Sequence, residues 1–196
     1  MFHHSGNLLI NADILKAVDI KVGTNSVLTG GLSGGVAFET KDAKDLLEPG
    51  EDFGARLYTN LGNNDYAGGS AAVYGQLTDN IDALAYYTYT DRNGKEVTGN
   101  EGRTVDGIFK LGWDINESNR LVFSYDRYND EGDYYVKTNF GAGFAEDSDA
   151  QTEDIDYTRT STALAYELDK GDAITLRASV YRNELSYIAL GIEGNS

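Results

Sequence analysis

Hydrophobic and polar positions alternate with a period of two over most of the chain from Asp52 onward. Phe53, Ala55, Leu57, Thr59 and Leu61 share one face, and Gly54, Arg56, Tyr58 and Asn60 share the other. The same alternation recurs through 70–77, 81–90, 105–113, 120–126, 161–168 and 174–181. Successive side chains of an extended chain point to opposite faces, so this pattern marks strands with one apolar side. It predicts about seven strands of about ten residues each, the length with which a tilted strand crosses a bilayer. Phe53, Leu57, Val73, Ala83, Phe109, Phe123, Leu164, Leu176 and Val180 fall on the apolar face and are expected to meet lipid. Arg56, Asp82, Lys110, Arg120, Asp126 and Arg177 fall on the opposite face, where a large barrel has a wet or plugged lumen.

The joins between these runs are sorted by length. Residues 78–80, 115–119 and 169–172 are tight turns, whereas 91–102 and 129–156 are long, with 62–65 a short member of the second set. Short turns alternating with long loops characterise an outer-membrane barrel, with turns at the periplasmic rim and loops outside. The expectation is an all-β, antiparallel up-and-down meander in which each strand pairs with its sequence neighbour. Tyr87, Tyr89, Tyr125, Tyr128, Tyr157 and Trp113 lie near strand ends, where amphipathic rings suit the two bilayer interfaces. A soluble or surface β-rich module that stacks carbohydrate on its tyrosines is the alternative reading of the same aromatics.

Residues 1–50 read differently. Asp13-Ile14-Leu15-Lys16-Ala17-Val18 suggests one helical turn with Asp13 as its N-cap. Asp19-Ile20-Lys21-Val22 alternates as a short strand that ends at Gly23, and Val36-Ala37-Phe38-Glu39-Thr40 alternates again. Between them, Gly30-Gly31-Leu32-Ser33-Gly34-Gly35 must be turn-rich, because glycine reaches backbone conformations closed to other residues. Pro49-Gly50 marks a boundary turn. The division expected is a small α/β unit over 1–50 and the strands over 51–196.

Composition narrows the chemistry. The 196 residues include 32 Asp and Glu against 16 Lys and Arg, a net charge of -16, which argues against binding a nucleic-acid backbone. There is no Cys, so neither a disulfide framework nor a thiolate site exists. No Ser–His–Asp set or paired-carboxylate site is convincing, and the glycine run lacks the Lys-Ser/Thr of a phosphate loop, so no enzyme is expected. The two histidines, His3 and His4, are the available imidazole ligands, and imidazole suits Fe, Cu, Ni and Zn. The join 129–156 carries Asp130, Glu131, Asp133, Glu146, Asp147, Asp149, Glu153, Asp154 and Asp156 against Lys137. Such a loop attracts cations through its field, or holds divalent ions that bridge lipopolysaccharide.

The run from Ile14 to Gly23, followed by Leu28-Thr29-Gly30-Gly31-Leu32-Ser33-Gly34-Gly35-Val36-Ala37-Phe38-Glu39-Thr40-Lys41, resembles the C-terminal half of the plug of TonB-dependent outer-membrane receptors. Gly23, Gly30, Gly34, Gly35, Val36, Thr40 and Lys41 carry the likeness. Relatives usually have Arg-Gly-Pro where this chain has Val22-Gly23-Thr24, and Tyr where it has Thr29. The missing Arg is a cation that in relatives meets barrel carboxylates. Phe2-His3-His4-Ser5-Gly6-Asn7 gives the chain the flavour of the iron-regulated or haem-type receptors. The resemblance implies a Gram-negative outer-membrane importer of a scarce iron-containing ligand, whether ferric siderophore, haem or another metal complex. It implies a plug that closes the barrel, no resident cofactor, and contact with lipid and lipopolysaccharide. It also implies a TonB complex that pulls on a plug segment not represented here. Transporters of this type have about 22 strands, so seven are expected to be a fragment unable to transport alone. The joins 62–65, 91–102 and 129–156 are then extracellular, with His3 and His4 facing the same vestibule.

Overall fold

The computed structural model describes residues 12–22, 34–63, 65–93, 101–135 and 152–190. After a 3-10 turn at Ala12–Ile14, β1 (Leu15–Val22) pairs antiparallel with β2 (Gly34–Thr40), and a single helical turn, α1 (Ala43–Leu46), follows. The remaining strands are β3 (Phe53–Leu61), β4 (Ala67–Thr78), β5 (Ile81–Asn93), β6 (Glu101–Asn116), β7 (Asn119–Tyr135), β8 (Thr152–Asp169) and β9 (Thr175–Leu190). They form one seven-stranded sheet in the order β3-β4-β5-β6-β7-β8-β9, each strand antiparallel to its neighbour, with β3 and β9 at the edges. This is the expected meander. The strands are not divided between two facing sheets, as a sandwich would require.

Three expectations are corrected. The helical turn expected from Asp13 is strand from Leu15 onward, because Leu15 pairs with Thr40 and cross-strand pairing overrides weak local helix preference. Asp13 accordingly caps no helix there, and its carboxylate turns to Arg56 and Ser70. The helix forms later, over Ala43–Leu46, where the Asp42 N–H donates to the Asp45 carboxylate at 2.8 Å.

Every strand of the sheet but β3 also exceeds ten residues. β6 to β9 run 16, 17, 18 and 16 residues, so pairing continues into the joins. Most of the acidic residues assigned to a loop therefore stand in strands: Asp130, Glu131 and Asp133 in β7, and Glu153, Asp154 and Asp156 in β8. Glu131 pairs with Asp156 and Asp133 with Asp154. Glu146, Asp147 and Asp149 lie outside the described residues. The tight turns fall where expected. At the β8–β9 turn, Gly171 adopts φ +64°, a left-handed conformation that suits glycine, and its N–H donates to the Asp169 carboxylate at 2.8 Å.

Alternation sorts the sheet into two unlike faces. Leu57, Val73 and Val180 are 79%, 60% and 71% exposed, and Phe53, Phe109, Phe123, Leu164 and Leu176 are exposed with them. Ala83, on the same face, is half-buried. On the other face Leu84, Tyr86, Ile108 and Ala72 are buried, packed with Ile14 and Ala43 of the N-terminal segment. The sheet thus turns its apolar band outward and buries the β4–β7 part of its other face against the 3-10 turn, the end of β2 and α1.

Candidate functional site

The buried inner face has three tiers, each fixed by sheet register. Nearest the short turns is an ionic clasp. Arg120, on β7, donates to both carboxylate oxygens of Asp82 on β5, at 2.7 and 3.0 Å, and to Asp114 at 3.0 Å. Its second partner group comes from the N-terminal segment, where the Asp42 carboxylate lies 3.5 Å away. Asp42 also pairs with Lys110 on β6, whose ammonium donates to the Thr40 carbonyl at 2.8 Å. Lys44 on α1 pairs with Asp114. Gly112 makes this convergence feasible: a Cβ there would lie 2.6 Å from the Arg120 guanidinium carbon and 2.7 Å from Asp82.

Above the clasp is an apolar seal, in which Ile14 and Ala43 pack on Ala72, Leu84, Tyr86 and Ile108. Leu84 has no exposed surface and Ile14 only 2%, so water is excluded from these two side chains.

Above the seal the inner face turns polar. Arg56 pairs with Asp13, which also accepts from the Ser70 hydroxyl at 3.2 Å. Arg92 reaches across β6 to Asp130 and to the Tyr134 hydroxyl, both at 2.7 Å, and touches Thr104. Arg159 pairs with Asp126 at 3.2 Å and stacks over the Tyr128 ring, which meets Tyr157 edge-on.

Within the N-terminal segment, Lys16 bridges Asp45 at 3.0 Å and Glu39 at 3.3 Å. Burial disfavours the Lys16 ammonium, but the two carboxylates outweigh it and raise its pKa above the ordinary lysine value. Burial likewise works against the Asp45 carboxylate. The Asp42 N–H and the Lys16 ammonium prevail and hold it below the ordinary carboxylate range.

Of the residues singled out in the sequence, His3, His4, Gly23 and Gly30 lie outside the described residues, and Gly34, Gly35 and Val36 stand in β2. Thr40 and Lys41 sit where the hairpin meets the sheet. The Thr40 carbonyl accepts from Lys110, and the Lys41 ammonium donates to the Asp13 carbonyl at 3.0 Å. The contact between the N-terminal segment and the sheet is carried mainly by carboxylates of the segment, with Lys44 on Asp114 the pair of the reverse polarity. Hairpin carboxylates Asp13 and Asp42 meet sheet cations Arg56, Lys110 and Arg120. The roles of Asp13, Asp42 and Lys44 were missed. A detectable signal was the row of charges alternating with apolar residues on strands otherwise suited to a membrane.

Such a fold, an apolar-outward meander with a hairpin clasped to its inner wall, defines the wall and inner piece of a membrane barrel. No family model matches the chain. It is 34% identical over 149 residues to the heme transporter BhuA of Brucella ovis, covering 71% of this chain and 22% of that protein. It is 27% identical over 133 residues to a hemin receptor of Yersinia pestis, covering 64% of this chain and 20% of that protein. It is 28% identical over 132 residues to TonB-dependent heme receptor A of Haemophilus influenzae, covering 62% and 18%. Its fold matches the FrpB iron transporter from Neisseria meningitidis (F3-3 variant) with a TM-score of 0.78 and 23% identity, over 95% of this chain and 31% of that one. The chain thus spans 22% or less of these curated relatives, all named as transporters or receptors. It belongs to the TonB-dependent receptors.

Proposed function

We propose that the chain supplies part of the plug, over 1–50, and the adjoining barrel wall, over 51–196, of an outer-membrane receptor that imports an iron-containing ligand, foremost haem. The observation that carries this reading is the N-terminal hairpin clasped to the inner face of an apolar-outward sheet, with Asp42 held between Lys110 and Arg120. A hairpin seated there blocks the lumen, so passage requires work on the plug, supplied through the TonB complex. Relatives named for haem and hemin support haem over a ferric siderophore. On this reading the joins on the side opposite the short turns are extracellular, His3 and His4 meet the metal of the arriving ligand, and the outer wall contacts lipid and lipopolysaccharide.

The test is uptake. Cells that cannot make haem and carry the full-length receptor as their sole haem importer should grow on external haem. Growth should fail when TonB is removed and should weaken in the His3→Ala/His4→Ala double variant. Growth independent of the receptor would refute the reading, and an unchanged double variant would remove the two histidines from it.

A further inference from the structure

A cavity of about 740 Å³ lies between the N-terminal segment and the wall, within the range of small-molecule sites. Its floor is one cross-sheet row. Tyr58 pairs with Ser70, Ser70 with Thr88, Thr88 with Asp106, and Asp106 with Tyr128. The next row toward the short turns holds Ala72, Tyr86 and Ile108 of the apolar seal. The cavity therefore sits directly above the seal, on the side of the long joins.

Buried polar atoms in a folded protein are nearly always satisfied, so unsatisfied ones need a reason. Four buried side-chain polar atoms find no hydrogen-bond partner among the described residues, and three belong to residues that line this cavity: Tyr128 Oη, Arg92 Nε and Asp106 Oδ1. Tyr128 and Asp106 are 4% and 3% exposed. Two of the three are donors. The lining also holds Arg56 and Lys41, and Lys41 spends its hydrogen bond on a neutral carbonyl. In a chain of net charge -16, this lining has three cations against the two carboxylates of Asp13 and Asp106.

We infer that this cavity is a subsite for a carboxyl group of the imported ligand, held by the Tyr128 hydroxyl, one row above the apolar seal, and by Arg92, which stands two rows further toward the long joins. A carboxyl group accepts from both donors, and Asp106 takes the proton of its acid form or of an accompanying water. Tyr58 and Tyr66, which also line the cavity, supply aromatic surface for the rest of a planar ligand such as haem, which carries two carboxylates. The inference rests on the reading of the chain as part of a haem receptor and adds where the ligand's acid groups pause before the seal opens.

The experiment compares equilibrium binding of haem and of haem dimethyl ester, whose carboxylates are blocked, to the full-length receptor in detergent. The variant is Tyr128→Phe, which removes a hydroxyl that meets no partner at hydrogen-bond geometry among the described residues and should leave thermal stability nearly unchanged. Loss of one hydrogen bond to a charged group should weaken haem binding about tenfold. The ester should bind the wild type more weakly than haem does, and should not distinguish wild type from variant. Haem binding unchanged by Tyr128→Phe, or equal wild-type affinity for haem and ester, would overturn the subsite while leaving the receptor reading intact. A wild type that binds neither probe would overturn both.

Discussion

Replacing Arg120 by Met removes a charge while keeping most of the side chain's length. Arg120 makes a two-pronged contact with Asp82, at 2.7 and 3.0 Å, and Asp82 is 2% exposed. Without the guanidinium, Asp82 keeps a buried carboxylate facing its own strand neighbours. Breaking a buried pair on one side costs about 3–5 kcal/mol, because the remaining charge is uncompensated. Arg103 and Glu131 supply the contrast. Their pair is as short, at 2.7 Å, but is 57% and 45% exposed, so Arg103→Met should cost less than about 1 kcal/mol. Urea unfolding of the full-length receptor in detergent measures both. Asp82→Asn added to Arg120→Met should recover part of the loss, since the orphaned charge is then gone. A cost below about 1 kcal/mol for Arg120→Met, or a double variant no better than the single, would refute the argument.

Gly112→Ala should destabilise the same clasp by about 1–3 kcal/mol without removing a charge, because its Cβ would crowd the Arg120 guanidinium carbon at 2.6 Å and Asp82 at 2.7 Å; the same urea titration reads it. Phe123→Arg places a cation in the outward apolar band and should cost about 2–4 kcal/mol when unfolding is measured in lipid, whereas an unchanged stability would void the assignment of that face. The Lys16–Asp45 bridge should hold across neutral pH. The stability from Asp45, whose folded pKa is depressed, is present above its ordinary 3.8 and is lost as pH falls through the lower folded value. That from Lys16, whose folded pKa is raised, is present below 10.5 and is lost as pH rises through the higher folded value. The protection factors of the α1 amides, exchange corrected for its intrinsic pH dependence, should therefore stay constant between these limits, and a loss of protection near neutrality would contradict it.

The meander was legible because alternation is a strong local signal once strands number seven and tight turns separate them. Arg56, Asp82, Lys110 and Arg120 were placed on the correct face by the same counting. Strand length was not legible. Polar residues such as Asp130 and Asp154 resemble loop in sequence, yet backbone pairing between β7 and β8 continues through them whatever their side chains prefer. The strand over Asp19–Val22 was read correctly, but its start at Leu15 was misread as helix for a related reason, since the pairing that decides it involves Thr40 of β2, far along the chain. The clasp was invisible to local reasoning because its members are distant in sequence. Arg120 and Asp82 are 38 positions apart, and Lys110 and Thr40 are 70 apart.

The two cations of the clasp face different fates if the hairpin leaves the wall. Arg120 has Asp82 and Asp114 on its own sheet, so losing Asp42 leaves its charge compensated and the wall intact. Among the described residues Lys110 has no such reserve: its partners are the Asp42 carboxylate and the Thr40 carbonyl, both on the departing segment. Its side chain is 10% exposed, so separation in a dry interior would strand an ammonium. The electrostatic resistance to release therefore concentrates on Lys110, and it falls once water reaches that level. Were the hairpin to leave, Ile14 would first have to part from the cluster that holds Leu84 and Ile108, and the Lys110 contact would weaken only once water followed. The wall's own charge pairs at Arg120 would survive that step.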